Sequence, residues 1–590
     1  MHSDNPLIVQ SDRSLLLDVH APNAADCAAA LIPFAELEKS PEHLHTYRLT
    51  ALSLWNAASA GLSVSTVFSV LEKYSRYDIP QNISAWITET ARRFGQLRLE
   101  ADTYENKSDK AAASIEYVYL IAENETLYKE IAALPAVSKL VAPCLLPTAR
   151  FAFKLPLTDR GIIKQHLITA GWPVKDNIPL SDGEPLDISI RTKTVAGMPI
   201  IIRDYQKAAA AALIGNKAPG TGFGTIVLPC GSGKTIVGIQ IMDMLKTSTL
   251  IITTNINAVH QWIAELIEKT TLTEDQIAEY SGAEKSIRAV TIATYQILTW
   301  RPEREGPYPH FTLFRTRAWG LIIYDEVHLL PAPVFRVVAE LQSVRRVGLT
   351  ATLVREDGHE DYVFSLVGPK RYDVPWKELE HAGWIAHAEC IEVRLDLPES
   401  DDIRYAVAGV RERHRIASEN AHKEAIVQEI VRRAPDDKII IIGHYVRQLD
   451  TLARALHAPL ITGKTAVQER DAVYARFRHG DIHLLVVSKV ANFAIDLPDA
   501  SLAIQVSGTF GSRQEEAQRL GRILRPKERP ARFFTLVTRN TVEEEFSNNR
   551  QKFLAEQGYA YRIVRYTDAS SLDEVFIPGS TAPQNCTAAS

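Results

Sequence analysis

The chain has 590 residues, 46% of them hydrophobic and 23% charged, and a formal net charge of −5. This length is too great for a single core and suggests roughly three or four domains. The charge excludes a globally basic protein but leaves room for a local basic track on which nucleic acid could lie.

The five cysteines, Cys27, Cys144, Cys230, Cys390 and Cys586, lie far apart. None has metal-ligand spacing, and a disulfide framework is not expected. No run approaches bilayer-spanning length, and the opening MHSDNPLIVQSDR lacks the apolar core of a signal peptide. The expectation is a protein of a reducing compartment with no membrane partner.

Residues 1–125 read as a mixed domain. LTALSLWNAASAG (49–61), VSTVFSVLEKYS (64–75) and ISAWITETARRFG (83–95) have helical periodicity with turn signals between them. QLRLEAD (96–102) and SIEYVYLIAE (114–123) read as strands around the polar tip ENKSDK. Helices followed by a hairpin form the pattern of a winged-helix-like module. Residues 126–195 show short strands and turns without a repeat.

From about residue 196 the texture changes. GTIVLP (224–229), TLIITT (249–254), AVTIAT (289–294), GLIIYD (320–325) and VGLTA (347–351) form one set of short apolar runs. KIIIIG (438–443), HLLVVS (483–488), LAIQVS (502–507) and FFTLVT (533–538) form another. Continuous apolar strands alternating with helices imply an α/β class with two parallel sheets in tandem, each covered on both faces. The tail, 566–590, ends in small and polar residues and is expected to be disordered.

LPCGSGKT (228–235) stands where a strand should hand over to a helix. Gly231 and Gly233 allow a tight turn that, with Ser232, aims backbone N–H groups at an anion. Lys234 can reach terminal phosphates, and the Thr235 hydroxyl can ligate Mg²⁺. The general phosphate-loop pattern has Gly where Leu228 stands here. The run LIIYDEVHLL (321–330) would deliver Asp325 to the same sheet edge, where it completes the Mg²⁺ shell. Glu326 is then placed to deprotonate an attacking water. A zincin reading fails, because no histidine precedes this pair at the required spacing. Ahead of the loop, IIRDYQKAAAAAL (201–213) offers Arg203 and Gln206; a Gln amide can pair with both edge groups of adenine, which favours ATP.

SRQEEAQRLGRILRPKERPAR (512–532) is the densest arginine segment, with Arg519, Arg522 and Arg525 sharing roughly one helical face. A γ-phosphate transition state calls for such an arginine finger. In order, GSGKT, DEVH, Thr350-Ala351-Thr352 and QRLGRILR resemble a superfamily-two helicase with two RecA-like domains. LTATLVREDGHEDYV places Arg355-Glu356-Asp357 where XPB-type helicases, named for xeroderma pigmentosum B, carry their RED motif. SKVANFAIDLPDASLAIQVSGTFGSRQEEAQRLGRILR and HTYRLTALSLWNAASAGLSVSTVFSVLEKYSRYDIP also resemble that family, so the likeness spans about residues 5–565.

The resemblance implies an ATP- and Mg²⁺-dependent DNA helicase of 3′–5′ polarity acting at a single-strand/duplex junction, in the context of DNA repair. It implies phosphate and Mg²⁺ binding by Lys234 and Thr235, Mg²⁺ binding by Asp325 and catalytic-base action by Glu326. Gln206 would read adenine, Arg522 and Arg525 would be the fingers, and Asp496 belongs to the fifth motif. His328 would link the ATP site to Thr350 and Thr352, and Arg355, Glu356 and Asp357 would act at the fork. The domains implied are an N-terminal domain (1–125), a damage-recognition-like region (126–195), and motor domains over 196–370 and 371–565, with a thumb-like segment at about 400–425. Long extensions of the eukaryotic kind are lacking, which implies a prokaryotic, cytoplasmic, nucleoid-associated member. Two alternatives stay open: a duplex translocase that does not separate strands, and an ATP-switched scaffold for a nuclease or transcription partner. NINAVHQW (255–262), ATYQIL (293–298) and SKVAN (488–492) follow strand ends and are candidate grips on one DNA strand.

Overall fold

The computed structural model describes residues 4–576 except 32, 40–43, 60, 102–116, 179, 181, 216–220, 230, 304–305, 307, 331–343, 352–362, 364–366, 375, 489–499, 509–519, 521–529, 549–558 and 560. The chain divides into two compact units. The first is built from Met1–Glu38, His43–Leu228 and Gly233–Val374, the second mainly from Pro375–Ser590.

The first unit opens with a four-stranded sheet in the order Leu7–Val9, Ser14–Asp18, Leu44–Arg48, Glu36–Lys39. Helices Ala51–Ser59, Val64–Tyr74 and Gln81–Arg92 follow, close to the expected runs. The second begins where it does because the Ser63 hydroxyl accepts the Thr66 N–H at 3.1 Å, satisfying one orphan donor. Its Val67, Leu71 and Tyr74 recur at helical spacing and are buried. They join Leu15, Leu17, Leu54, Ile83 and Ile87 in one core.

A five-stranded sheet comes next, in the order Ala142–Leu146, Ala149–Pro156, Tyr117–Ala122, Leu97–Ala101, Val174–Asp176. This changes the sequence reading of the hairpin. Its strands pair antiparallel, Glu100 opposite Tyr119, but they belong to this sheet and do not complete the N-terminal module. The reason is where the inward residues find partners. Leu97, Leu99, Val118 and Leu120 pack with Phe153, Leu155, Ile163 and Leu167, all later in the chain.

The third layer is a seven-stranded sheet in the order Ile277–Tyr280, Val290–Thr294, Thr249–Thr253, Leu321–Asp325, Arg345–Thr350, Phe223–Val227, Lys370–Asp373. Every pairing within it is parallel. Thr249–Thr253 and Val290–Thr294 are buried throughout, as expected for strands covered on both faces. The strand ends at Val227, Thr253, Thr294, Asp325 and Thr350 therefore lie along one edge.

The second unit holds another seven-stranded parallel sheet. Its order is Leu460–Ile461, Leu484–Ser488, Ile439–Gly443, Leu502–Gln505, Ala531–Thr538, Ala388–Leu395, Tyr561–Arg565. The expected thumb-like segment forms helices Glu399–Val407 and Val410–Ser418 and the start of His422–Arg433. Much of its positive charge is already engaged. Arg404 pairs with Asp401 and Arg415 with Glu412, Arg413 donates to the Tyr405 and Ala406 carbonyls, and Lys423 is buried against Glu543 at 2.8 Å. Among the described residues no single helix is long and apolar enough to cross a membrane.

Candidate active site

Strand Phe223–Val227 ends in the loop that leads to helix Lys234–Leu245. Gly231 and Gly233 have φ of 78° and 83°, values that glycine adopts without a Cβ penalty. Within the loop the Ser232 hydroxyl donates to the Pro229 carbonyl at 2.7 Å. The first N–H groups of the helix lack partners inside it and carry the positive end of its dipole. Lys234 and Thr235 stand on that first turn, half-buried.

Gly233 is hemmed in as well as left-handed. A Cβ there would come 2.7 Å from Gln206 Nε2. Gly233→Ala is therefore expected to weaken nucleotide binding about tenfold, since backbone strain of about 1–2 kcal/mol falls on the loop itself. Calorimetric titration with ADP checks this against an unchanged melting temperature.

Gln206 is buried and occupies the third position of helix Asp204–Ile214, where its Oε1 accepts the Arg203 N–H at 3.0 Å. The carbonyl end of the amide thus caps the helix, and the amino end faces the phosphate loop. The Arg203 guanidinium donates to the Tyr205 hydroxyl at 3.1 Å.

Asp325 and Glu326 arrive at the same edge on strand Leu321–Asp325. Lys234 Nζ lies 3.6 Å from Glu326 Oε1. Glu326 sits in the left-handed region at φ 49°, a conformation that costs a side-chain-bearing residue about 1 kcal/mol or more and clusters at functional sites. The turn aims its carboxylate back at the loop. Glu326 Oε2 is buried without a hydrogen bond, with His328 Nδ1 at 3.5 Å. That same Nδ1 is 2.7 Å from the Thr350 hydroxyl. The Thr350 carbonyl in turn accepts the Leu228 N–H at 2.9 Å, tying the third-motif strand to the entry of the phosphate loop.

The two carboxyls are shifted in opposite directions. Burial and the adjacent Glu326 push Asp325 up to about 6. Burial would raise Glu326 too, but Lys234 and His328 outweigh it and hold Glu326 below its usual value. Each Asp325 oxygen receives one N–H: Oδ1 from the Glu326 backbone at 3.0 Å and Oδ2 from the Trp262 indole at 3.0 Å. A carboxylate keeps further lone pairs beyond these. Together with the Thr235 hydroxyl, which adjoins Lys234 on the loop helix, the Asp325 oxygens are hard donors of the kind Mg²⁺ takes.

Thus the structure brings Arg203, Gln206, Gly233, Lys234, Thr235, Asp325, Glu326, His328 and Thr350 to one sheet edge. Thr352, Arg355, Glu356, Asp357, Asp496, Arg522 and Arg525 lie outside the described residues. Two residues not singled out from sequence also reach Asp325: Trp262 through its side chain, and Tyr295, whose hydroxyl donates to the Asp325 carbonyl at 3.0 Å. Both fall inside segments read as strand-end grips. An aromatic with a polar tip on a buried helix face was the available signal; its partner, 63 or 30 residues away, was not.

A glycine loop on a helix start, a strand-borne Asp–Glu pair facing its lysine, and a second parallel sheet define a RecA-like motor ATPase. Family models bear on which kind. "ERCC3/RAD25/XPB C-terminal helicase" matches residues 379–580, "Helicase conserved C-terminal domain" residues 7–143, and "Type III restriction enzyme, res subunit" residues 199–355. The chain is 49% identical, over 97% of its length and 98% of the relative's, to the "DNA 3'-5' helicase XPB" of Kineococcus radiotolerans. It is 48% identical to the protein of the same name from Mycobacterium tuberculosis, with 96% and 98% covered. It is 32% identical to the "General transcription and DNA repair factor IIH helicase/translocase subunit XPB" of Antonospora locustae, with 95% and 82% covered. The chain belongs to the XPB family of helicases.

Proposed function

We infer that this chain is an ATP-dependent DNA helicase of 3′–5′ polarity that couples ATP hydrolysis to unwinding, and that it serves DNA repair. The observation that carries the reading is the Asp325–Glu326 pair held against Lys234, 3.6 Å from Glu326, in a chain nearly half identical to a named DNA 3'-5' helicase.

The triphosphate lies across the start of helix Lys234–Leu245, where N–H groups of residues 231–235 meet its oxygens. Lys234 exchanges its contact with Glu326 for the terminal phosphates. Thr235 and Asp325 would hold Mg²⁺, which would supply positive charge against that of the phosphates. Glu326, freed from Lys234, accepts the proton of a water in line with the γ-phosphate. Arg203 and Gln206 lie on the adenine side. Arg522 and Arg525 supply positive charge to the transition state, with Asp496 in the same second motor domain. The His328–Thr350 contact relays phosphate occupancy to Thr352 and on to Arg355, Glu356 and Asp357 at the fork. The proposed setting is the prokaryotic cytoplasm, on DNA and beside a nuclease or transcription partner.

The test is steady-state ATPase without nucleic acid and with single-stranded DNA, forked DNA or RNA, beside strand displacement on a 3′-tailed duplex. Forked DNA is expected to stimulate most and RNA least, with displacement only from the 3′ tail. Stimulation by none of them would overturn the motor reading. Triplex displacement without strand separation would make the chain a translocase.

A further inference from the structure

Trp262 is 2% exposed and Tyr295 4% exposed, and both end on the same acidic residue. Trp262 lies two turns into helix Ile256–Lys269, which starts where the Asn255 side chain accepts the Ala258 N–H at 3.1 Å. Its indole N–H donates to Asp325 Oδ2 at 3.0 Å. Its ring lies over the helix that follows the phosphate loop, so closely that a Cβ on Gly238 would come within 2.6 Å of Cη2. Trp262 therefore links the end of one strand-end segment, the phosphate-loop helix and the carboxylate.

Tyr295 opens the short helix Tyr295–Thr299, capped where the Thr294 hydroxyl accepts the Ile297 N–H at 3.2 Å. Its strand is two places from that of Asp325 in the sheet, so the side chain reaches across strand Thr249–Thr253 to meet the Asp325 carbonyl. The two hydrogen bonds fix both ends of Asp325, side chain and backbone, from the two segments that lead off neighbouring strands. The Glu326 N–H on Oδ1 supplies the third constraint. A shift of either segment by a fraction of an ångström moves the carboxylate, because the packed core between them does not absorb it.

We propose that Trp262 and Tyr295 are positioning residues that make the placement of the Asp325 carboxylate, and with it Mg²⁺–nucleotide affinity, depend on DNA held by the segments 255–262 and 293–298. This rests on the helicase reading for the identity of the ligand at those segments. It adds the two side chains through which that ligand and the nucleotide sense each other. Coupling of this kind is reciprocal: whatever factor DNA imposes on nucleotide affinity, nucleotide imposes on DNA affinity.

The test uses the full chain with Trp262→Phe, Tyr295→Phe and the double variant. Each change removes a donor and keeps an aromatic ring. Forked-DNA affinity is measured by fluorescence anisotropy with no nucleotide and with Mg²⁺ plus a non-hydrolysable ATP analogue. Mg²⁺–ADP affinity is measured with and without DNA. The parent is expected to show a coupling factor in the usual range of roughly 5- to 150-fold. Each single variant is expected to keep its nucleotide-free DNA affinity and to lose most of that factor, with the double variant near one. The KM for ATP should then no longer fall as DNA is added, whatever shift the lost donors cause in the DNA-free KM. Folded variants that keep the parent coupling factor would overturn the proposal and leave both residues as core packing. Should either single variant fail to fold, the other carries the same expectation. A parent that does not bind or respond to DNA at all would instead overturn the helicase reading, and the two failures are read from different arms.

Discussion

Glu326→Gln is expected to lower kcat for ATP by about 10²- to 10⁴-fold while DNA binding and nucleotide binding stay near the parent values. The substitution keeps volume and one acceptor but removes the proton acceptor. Three features make Glu326 rather than Asp325 the expected base. Lys234 and His328 hold it below its usual pKa, so it is ionised at neutral pH. Asp325, pushed up to about 6 by burial and by Glu326, has both oxygens engaged by N–H donors. Glu326 also carries a left-handed backbone that turns its side chain toward Lys234. Lys234→Ala acts on the other partner and is expected to raise the KM for ATP as well as lower kcat, because it removes a contact to the ground-state phosphates. Phosphate release on forked DNA, beside calorimetric ADP binding, separates the two. A Glu326→Gln variant that turns over ATP at the parent rate would place the base elsewhere.

How much of this could be read from sequence follows from distance along the chain. The GSGKT loop and the DEVH pair are local patterns, and the strands that deliver them are continuous apolar runs, so their shared edge was legible. Strand Ala388–Leu395 does not stand out in the sequence, although it lies inside the second sheet. Glu392 interrupts its apolar run, yet that carboxylate is fully buried because Arg394 and Ser547 reach it. Lys370–Asp373 and Tyr561–Arg565 sit at sheet edges and are at most half-buried, so the apolar signal fades there. The hairpin at 97–122 is legible as two strands but its neighbours in the sheet are not, because periodicity tells which face is apolar and not what covers it. Trp262 and Tyr295 show the same limit at the site. Their segments were legible as strand ends; their meeting at Asp325 depends on sheet order.

Sheet order also creates a cluster that no local pattern announces. Asp176→Asn there is expected to destabilise the first unit by about 3–5 kcal/mol. Asp176 Oδ1 and Oδ2 accept from Arg160 at 2.7 and 2.9 Å, and Oδ2 also accepts from Lys164 at 3.0 Å. These side chains are 0–10% exposed. Arg346, fully buried on strand Arg345–Thr350, adds a third cation. Phe223 lies among Lys164, Arg346 and Arg371 at 5.5, 4.7 and 5.5 Å. Burial lowers Lys164 to about 8 and Arg346 to about 9, with Arg160 adding repulsion to both. Burial alone would raise Asp176, but Lys164 and Arg160 outweigh it and hold the carboxyl well below the usual range. The isosteric amide removes that charge and leaves the cations packed together in a dry site.

The sign of the pH dependence follows. A depressed carboxyl contributes fully above its unfolded value of about 4 and loses its contribution as pH falls below it. The gap between parent and Asp176→Asn is therefore expected to be wide at pH 7 and to close in acid. Lys164 works in the other direction. Its folded pKa lies below the unfolded one, so its penalty is complete below about 8 and is relieved as pH rises toward 10. Without Asp176 that relief begins at lower pH, and the variant should regain stability on going from pH 7 to 9 more than the parent does. At pH 7 the first melting transition is expected to fall by roughly 10 °C. Adding Arg346→Met should restore part of it, because removing one of the crowded cations is favourable once the carboxylate is gone. A single variant that melts within about 2 °C of the parent at pH 7 would mean that the carboxylate adds no net stability. The cluster would then be a tolerated remnant of packing the five-stranded sheet's helix Arg160–Thr169 against the motor sheet.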